Sequence, residues 1–126
     1  MNRLIVALVA SVMGISAGFT LDNRMLVKVG DYRYTRGWLC AEHDDIRRAN
    51  NILSDSDLMK SGDNLTAWQR FVDAHCLQGD GSTRFRVQKV EDDPAERYSV
   101  ACISADEGAE CLWVNQVALS LKPLNE

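Results

Sequence analysis

The sequence predicts an α+β domain: a disulfide-clipped two-helix hairpin packed on a small antiparallel β-structure. Three observations predict it. Apolar residues recur at helical spacing in two stretches between Cys40 and Cys76. Short alternating runs bounded by turn residues flank that unit on both sides. Four cysteines lie in a chain whose first residues read as an export signal, a combination that favours two disulfides.

The chain has 126 residues, which suits one domain. Its 46% hydrophobic and 25% charged residues are ordinary for a globular protein. The net charge of −4 becomes −5 once a leader carrying only Arg3 is removed. A mildly acidic domain with no basic run has no general attraction for nucleic acid or anionic lipid, so neither is expected as a bulk partner.

The leader begins with Asn2-Arg3, continues through an apolar run over 4–15, and ends in the small residues Ser16-Ala17-Gly18. Residues 1–18 are therefore expected to be a signal peptide, and 19–126 a single exported domain. The apolar run falls short of the about 20 residues a membrane span needs. No membrane span is expected after cleavage, and the expected location is periplasmic or secreted.

Four cysteines permit three connectivities. The favoured one is Cys40–Cys76 with Cys102–Cys111. The first pair brackets a compact helical unit, and the second sits on two strands joined by a short turn. No Cys-x-x-Cys or Cys/His spacing points to zinc instead.

In chain order, Leu26-Val27-Lys28-Val29 and Tyr32-Arg33-Tyr34-Thr35 are joined by Gly30-Asp31, which suits a hairpin pairing Val27 with Tyr34 and Val29 with Tyr32. The alternative is an arm that pairs elsewhere. A first helix is expected over 42–53, with Ile46, Ala49 and Leu53 on one face and Glu42, Asp44 and Asp45 in the first turn. A polar connection covers 54–63. A second helix is expected over 64–74, capped by Asp63 or Asn64, with Leu65, Trp68, Phe71 and Val72 as its apolar stripe. The hairpin thus spans about 41–76. A β-meander follows over about 83–122: strands at 83–90, with Phe85 and Val87 facing in, then 98–103 and 110–114. An acidic loop lies at 91–96, and Gly108 turns the chain. A tight turn at Asn115-Gln116-Val117 precedes a last strand at 118–122.

The end pattern Trp113-Val114 followed by Ala118-Leu119 resembles SH3-like barrels, in which a Trp-Val pair precedes a 3₁₀ turn and the final strand. The layout is also similar to small exported bacterial proteins with a Cys-bracketed helical pair, here Trp38-Leu39-Cys40-Ala41 and His75-Cys76, before such a barrel. The resemblance implies a small antiparallel SH3-like β-barrel and recognition of a peptide or cell-wall ligand.

No constellation of catalytic residues emerges, so an enzyme is not expected, and neither a cofactor nor a metal. His43 lies off the helix face shared by Glu42 and Asp45, which reads as a solvated helix start. His75 is adjacent to Cys76, a placement that does not allow a Cys–His nucleophile pair. Asp55, Asp57, Gly62 and Asp63 do not meet the calcium-loop spacing. The aromatics Trp38, Trp68, Trp113, Tyr32, Tyr34 and Tyr98 are candidates for a recognition groove, with Trp68 expected in the core. Tyr34 and Trp113 are the expected ligand-binding residues. The acidic loops at Asp92-Asp93 and Asp106-Glu107 are candidates for facing a basic partner.

The expected function is a non-enzymatic binding module interacting with an envelope protein or a cell-wall component. The alternatives are a small inhibitor or immunity/exclusion protein acting on an envelope enzyme or toxin, and a small hydrolase.

Overall fold

The computed structural model describes residues 27–92, 98–106 and 108–124. The expected signal peptide, Leu26, most of the acidic loop at 91–96, and Glu107 lie outside the described residues. The strands are β1 (Tyr32–Thr35), β2 (Trp38–Cys40), β3 (Cys76–Gln78), β4 (Phe85–Glu91), β5 (Val100–Ser104), β6 (Leu112–Asn115) and β7 (Leu119–Ser120). The helices are α1 (His43–Ser54), α2 (Ser56–Ser61) and α3 (Asn64–His75), with a 3₁₀ turn at Gln116–Ala118.

The seven strands form one antiparallel sheet in the order β3-β2-β6-β5-β4-β1-β7. β1 and β2 are nearly continuous in the chain yet lie towards opposite ends of that order. The sheet must therefore curl, and it forms a half-barrel. The bend sits at Arg36-Gly37. Thr35 pins it: its hydroxyl donates to the Ala118 carbonyl and accepts the Gly37 N–H, both at 2.8 Å. A Cβ at Gly37 would come within 2.7 Å of the Ala118 Cβ, so glycine lets the bend and the 3₁₀ turn meet.

The expected hairpin within 26–35 does not form. Val27 to Asp31 makes a turn instead, with Gly30 at φ +97° and the Asp31 N–H donating to the Lys28 carbonyl. The Gly30 N–H donates to the Val87 carbonyl, and the Val87 N–H donates to the Asp31 carbonyl. Tyr32 then lies opposite Arg86 and Tyr34 opposite Ser120, rather than opposite Val29 and Val27. The segment is instead the arm that pairs elsewhere, with β4 through Tyr32 and Arg33 and with β7 through Tyr34 and Thr35.

α1 begins after Glu42, with Asp44 and Asp45 in the first turn, where carboxylates complement the helix dipole. It buries Ile46, Ala49 and Asn50, one face at helical spacing. The expected polar connection contains a further helix, α2. Asp55 ends α1 in an extended conformation and accepts the Leu58 N–H at 3.0 Å, capping α2. Gly62 closes α2 at φ +80°, a conformation glycine adopts without steric cost. α3 buries Val72, while Leu65, expected on the apolar stripe, is 64% exposed.

Two cores result. Leu39, Phe85, Val87, Ala101, Ile103 and Val114 fill the inside of the curl. Cys40, Ile46, Ala49, Val72, Cys76 and Val100 lie between sheet and helices, with Trp38, Trp68, Phe71 and Trp113 packed against them. β5 is buried along its whole length because both of its faces are covered. On β4 a bulge lies between Val87 and Lys89. It resets the alternation, so Val90 packs on the same core as Phe85 and Val87.

Both favoured disulfides are present. Cys40–Cys76 joins paired residues of β2 and β3, with Cα atoms 4.4 Å apart, and closes the helical unit at its base. Cys102–Cys111 clips β5 to the segment entering β6. The described part is thus α+β with three helices. None of its helices is long and apolar enough to cross a membrane.

Candidate functional site

Two concave features carry the side chains best placed for recognition. The first is an apolar crevice where the helices meet the sheet. Trp38 on β2 and Trp68 on α3 meet edge to face across it, with ring centroids 6.3 Å apart. Ile46, Ala49 and Val72 line it from the helices, and Val117 of the 3₁₀ turn stands at its rim, 70% exposed. Asn50 and Asn115 line it too, paired by their side-chain amides. The space is about 210 Å³, below the range of about 300–1,000 Å³ usual for small-molecule sites. One apolar side chain is the better match in size.

The second is a polar groove of about 460 Å³ on the face of β1, β4 and β5. Tyr32, Arg84, Arg86, Gln88 and Ser104 line it, with Asp106 at one end. The Arg84 guanidinium lies 4.2 Å from the Tyr32 ring centroid, a cation–π contact that orients it. Gln88, the residue at the bulge, donates to the Ser104 hydroxyl at 2.8 Å. Among the described residues neither Arg84 nor Arg86 forms an ion pair.

The structure does not bring Tyr34 and Trp113 together. Tyr34 is on β1 and Trp113 on β6, with β4 and β5 between them in the sheet, and neither lines the crevice or the groove. Trp113 packs beneath α1, its ring 4.5 Å from that of His43. His43 in turn bonds Glu91 across 2.7 Å. This sequence-distant contact fastens the start of α1 to the end of β4. His75 stacks on Phe71 one helical turn earlier, with centroids 4.4 Å apart. Asp55 and Gly62 serve α2 as cap and terminator. No group of three or more His, Cys, Asp or Glu side chains suited to a metal occurs among the described residues.

Asp80 organises the turn that follows β3. Its carboxylate accepts the N–H groups of Ser82 and Thr83, both at 2.8 Å, and the Thr83 hydroxyl at 2.9 Å. These bonds, the Thr83 N–H foremost, lower its pKa from 3.8 to about 2.

Arg84 and Arg86 are legible in the sequence as outward residues of an alternating strand. Their association with Tyr32 is not, because it depends on pairing with a segment about fifty positions away. The crevice likewise needs Trp38 and Trp68 from distant elements.

No protein-family model, curated protein or solved structure matches this chain.

Proposed function

We propose that this is a non-enzymatic, exported binding module that recognises a protein or cell-wall component of the cell envelope. The observation that carries the reading is the Trp38–Trp68 crevice. It is a preformed apolar recess with an exposed valine on its rim and a fixed amide pair in its wall. A recess of this size takes an apolar side chain presented by a protein partner, the arrangement in which one anchor supplies much of the binding energy. The protein partner is thereby favoured over a cell-wall glycan.

Export is supported by the leader-like sequence and by two disulfides, which suit an oxidising compartment. We further read the curled sheet as an SH3-like barrel. Trp113-Val114 leads into the 3₁₀ turn at Gln116–Ala118 and then β7, and β1–β2 behaves as one bent strand with partners towards both ends of the sheet.

The test is affinity capture with the oxidised domain, using an envelope extract and purified cell wall in separate arms. Val117→Arg places a charge at the crevice mouth; Leu65→Arg, on the outer side of α3, is the control. One envelope protein held by wild type and Leu65→Arg but not by Val117→Arg is the expected result. Equal retention by all three, or none on either material, contradicts the reading.

A further inference from the structure

We infer that the Tyr32–Arg84–Arg86 groove binds an extended acidic segment of a partner protein, with carboxylates two residues apart. The charge arrangement is the first reason. The chain is acidic overall, with 18 Asp and Glu against 14 Lys and Arg. Yet two arginines on one groove form no ion pair among the described residues. The groove keeps a cationic character that the rest of the molecule had carboxylates enough to neutralise.

Spacing is the second reason. Arg86 is in β4, Arg84 lies directly before that strand, and both line the groove, so they stand two residues apart on one side of the chain. Alternate residues of such a chain repeat at roughly 6.5–7 Å. An extended peptide with acidic residues at alternate positions repeats at the same distance, so its carboxylates match the spacing of the two arginines along the chain. Each guanidinium offers a planar pair of donors that matches a carboxylate.

Preorganisation is the third. The Tyr32 ring holds Arg84 through the cation–π contact at 4.2 Å. Tyr32 itself is fixed opposite Arg86 in the ladder. The Gln88–Ser104 bond fixes the floor. Among the described residues Asp106 is the one carboxylate on the lining.

The inference goes beyond the crevice reading, because the groove and the crevice share no lining residue. The probes are blocked peptides of alternating glutamate and threonine, the same composition arranged as glutamate pairs and threonine pairs, and inorganic phosphate. Binding is followed by ¹H–¹⁵N NMR at low salt. The alternating peptide should shift Tyr32, Arg84 and Arg86 saturably and bind at least fivefold more tightly than the paired arrangement. Arg84→Gln/Arg86→Gln should weaken it at least tenfold with an unchanged melting temperature. Asp106→Asn should tighten it, and Val117→Arg should leave it unchanged. No saturable shift, equal binding of both peptides, phosphate binding as tightly as the alternating peptide, or full binding by the double variant overturns the proposal.

Discussion

Asn50 and Asn115 exchange two side-chain hydrogen bonds, 2.7 and 2.9 Å long, between α1 and the end of β6. Asn50 is only 6% exposed, so its amide depends on this partner. The pair ties the helical unit to the sheet beside the Trp38–Trp68 crevice and keeps the crevice wall in place.

Removing one member leaves the other's amide without its partner. Asn50→Ala is expected to cost about 1–3 kcal/mol in urea denaturation, because a part-buried polar group loses its hydrogen bonds. The Asn50→Ala/Asn115→Ala double variant should cost clearly less than the two single losses together, since neither amide is then stranded. Additive losses would show that the two side chains act independently.

The two disulfides should differ in their effect on stability. Cys40–Cys76 closes a separation of 36 residues and Cys102–Cys111 one of 9. On chain-entropy grounds, replacing the first pair with alanine should cost about 4 kcal/mol and the second about 2.5 kcal/mol. Denaturation of both double variants measures the order. A larger loss from the short clip would mean that packing around the cysteines, and not loop closure, dominates.

Among the described residues Gly79 is the glycine most confined by backbone. A Cβ there would come within 2.4 Å of the Thr35 carbonyl oxygen, where the segment after β3 runs beside the end of β1. Gly79→Ala should therefore displace main chain and cost about 1–3 kcal/mol. Its effect is read against Gly37→Ala, whose nearest neighbour is the Ala118 side chain at 2.7 Å. Equal melting temperatures for wild type and Gly79→Ala would contradict this packing.

Asp80 gives a pH signature. Its folded-state pKa is depressed from 3.8 to about 2, so its contribution to stability is present above the unfolded value and is lost as pH falls from about 4 through about 2. Carboxyl ¹³C titration should give a midpoint near 2, and Asp80→Asn should flatten the acid limb of stability. A midpoint near 3.8 would remove the Ser82 and Thr83 bonds from the account.

Much of the fold is legible in the sequence because local signals agree with it. Ile46 and Ala49 mark α1, alternation marks β4, and cysteines bracketing a compact helical unit identify the Cys40–Cys76 clip. The hairpin expectation failed because Gly30-Asp31 fits a two-residue turn, while the partner that wins, β4, lies far along the chain. α2 is not legible as a helix because four of its six residues are polar and none is buried, yet Asp55 and Gly62 are a helix cap and a helix terminator seven positions apart. The candidate sites were least legible. Tyr34 and Trp113 have suitable chemistry, but strand order separates them. The pairs that do meet, Trp38 with Trp68 and Tyr32 with Arg84, are set by tertiary contact alone.

The most direct test of the binding account is the ¹H–¹⁵N spectrum of the tryptophan indoles, recorded with and without the captured envelope partner. Binding at the crevice predicts that the Trp38 and Trp68 indole signals shift together, while Trp113, packed under α1, stays in place. Shifts confined to Trp113, or no indole shift with the partner bound, would contradict the assignment of the crevice as the recognition site.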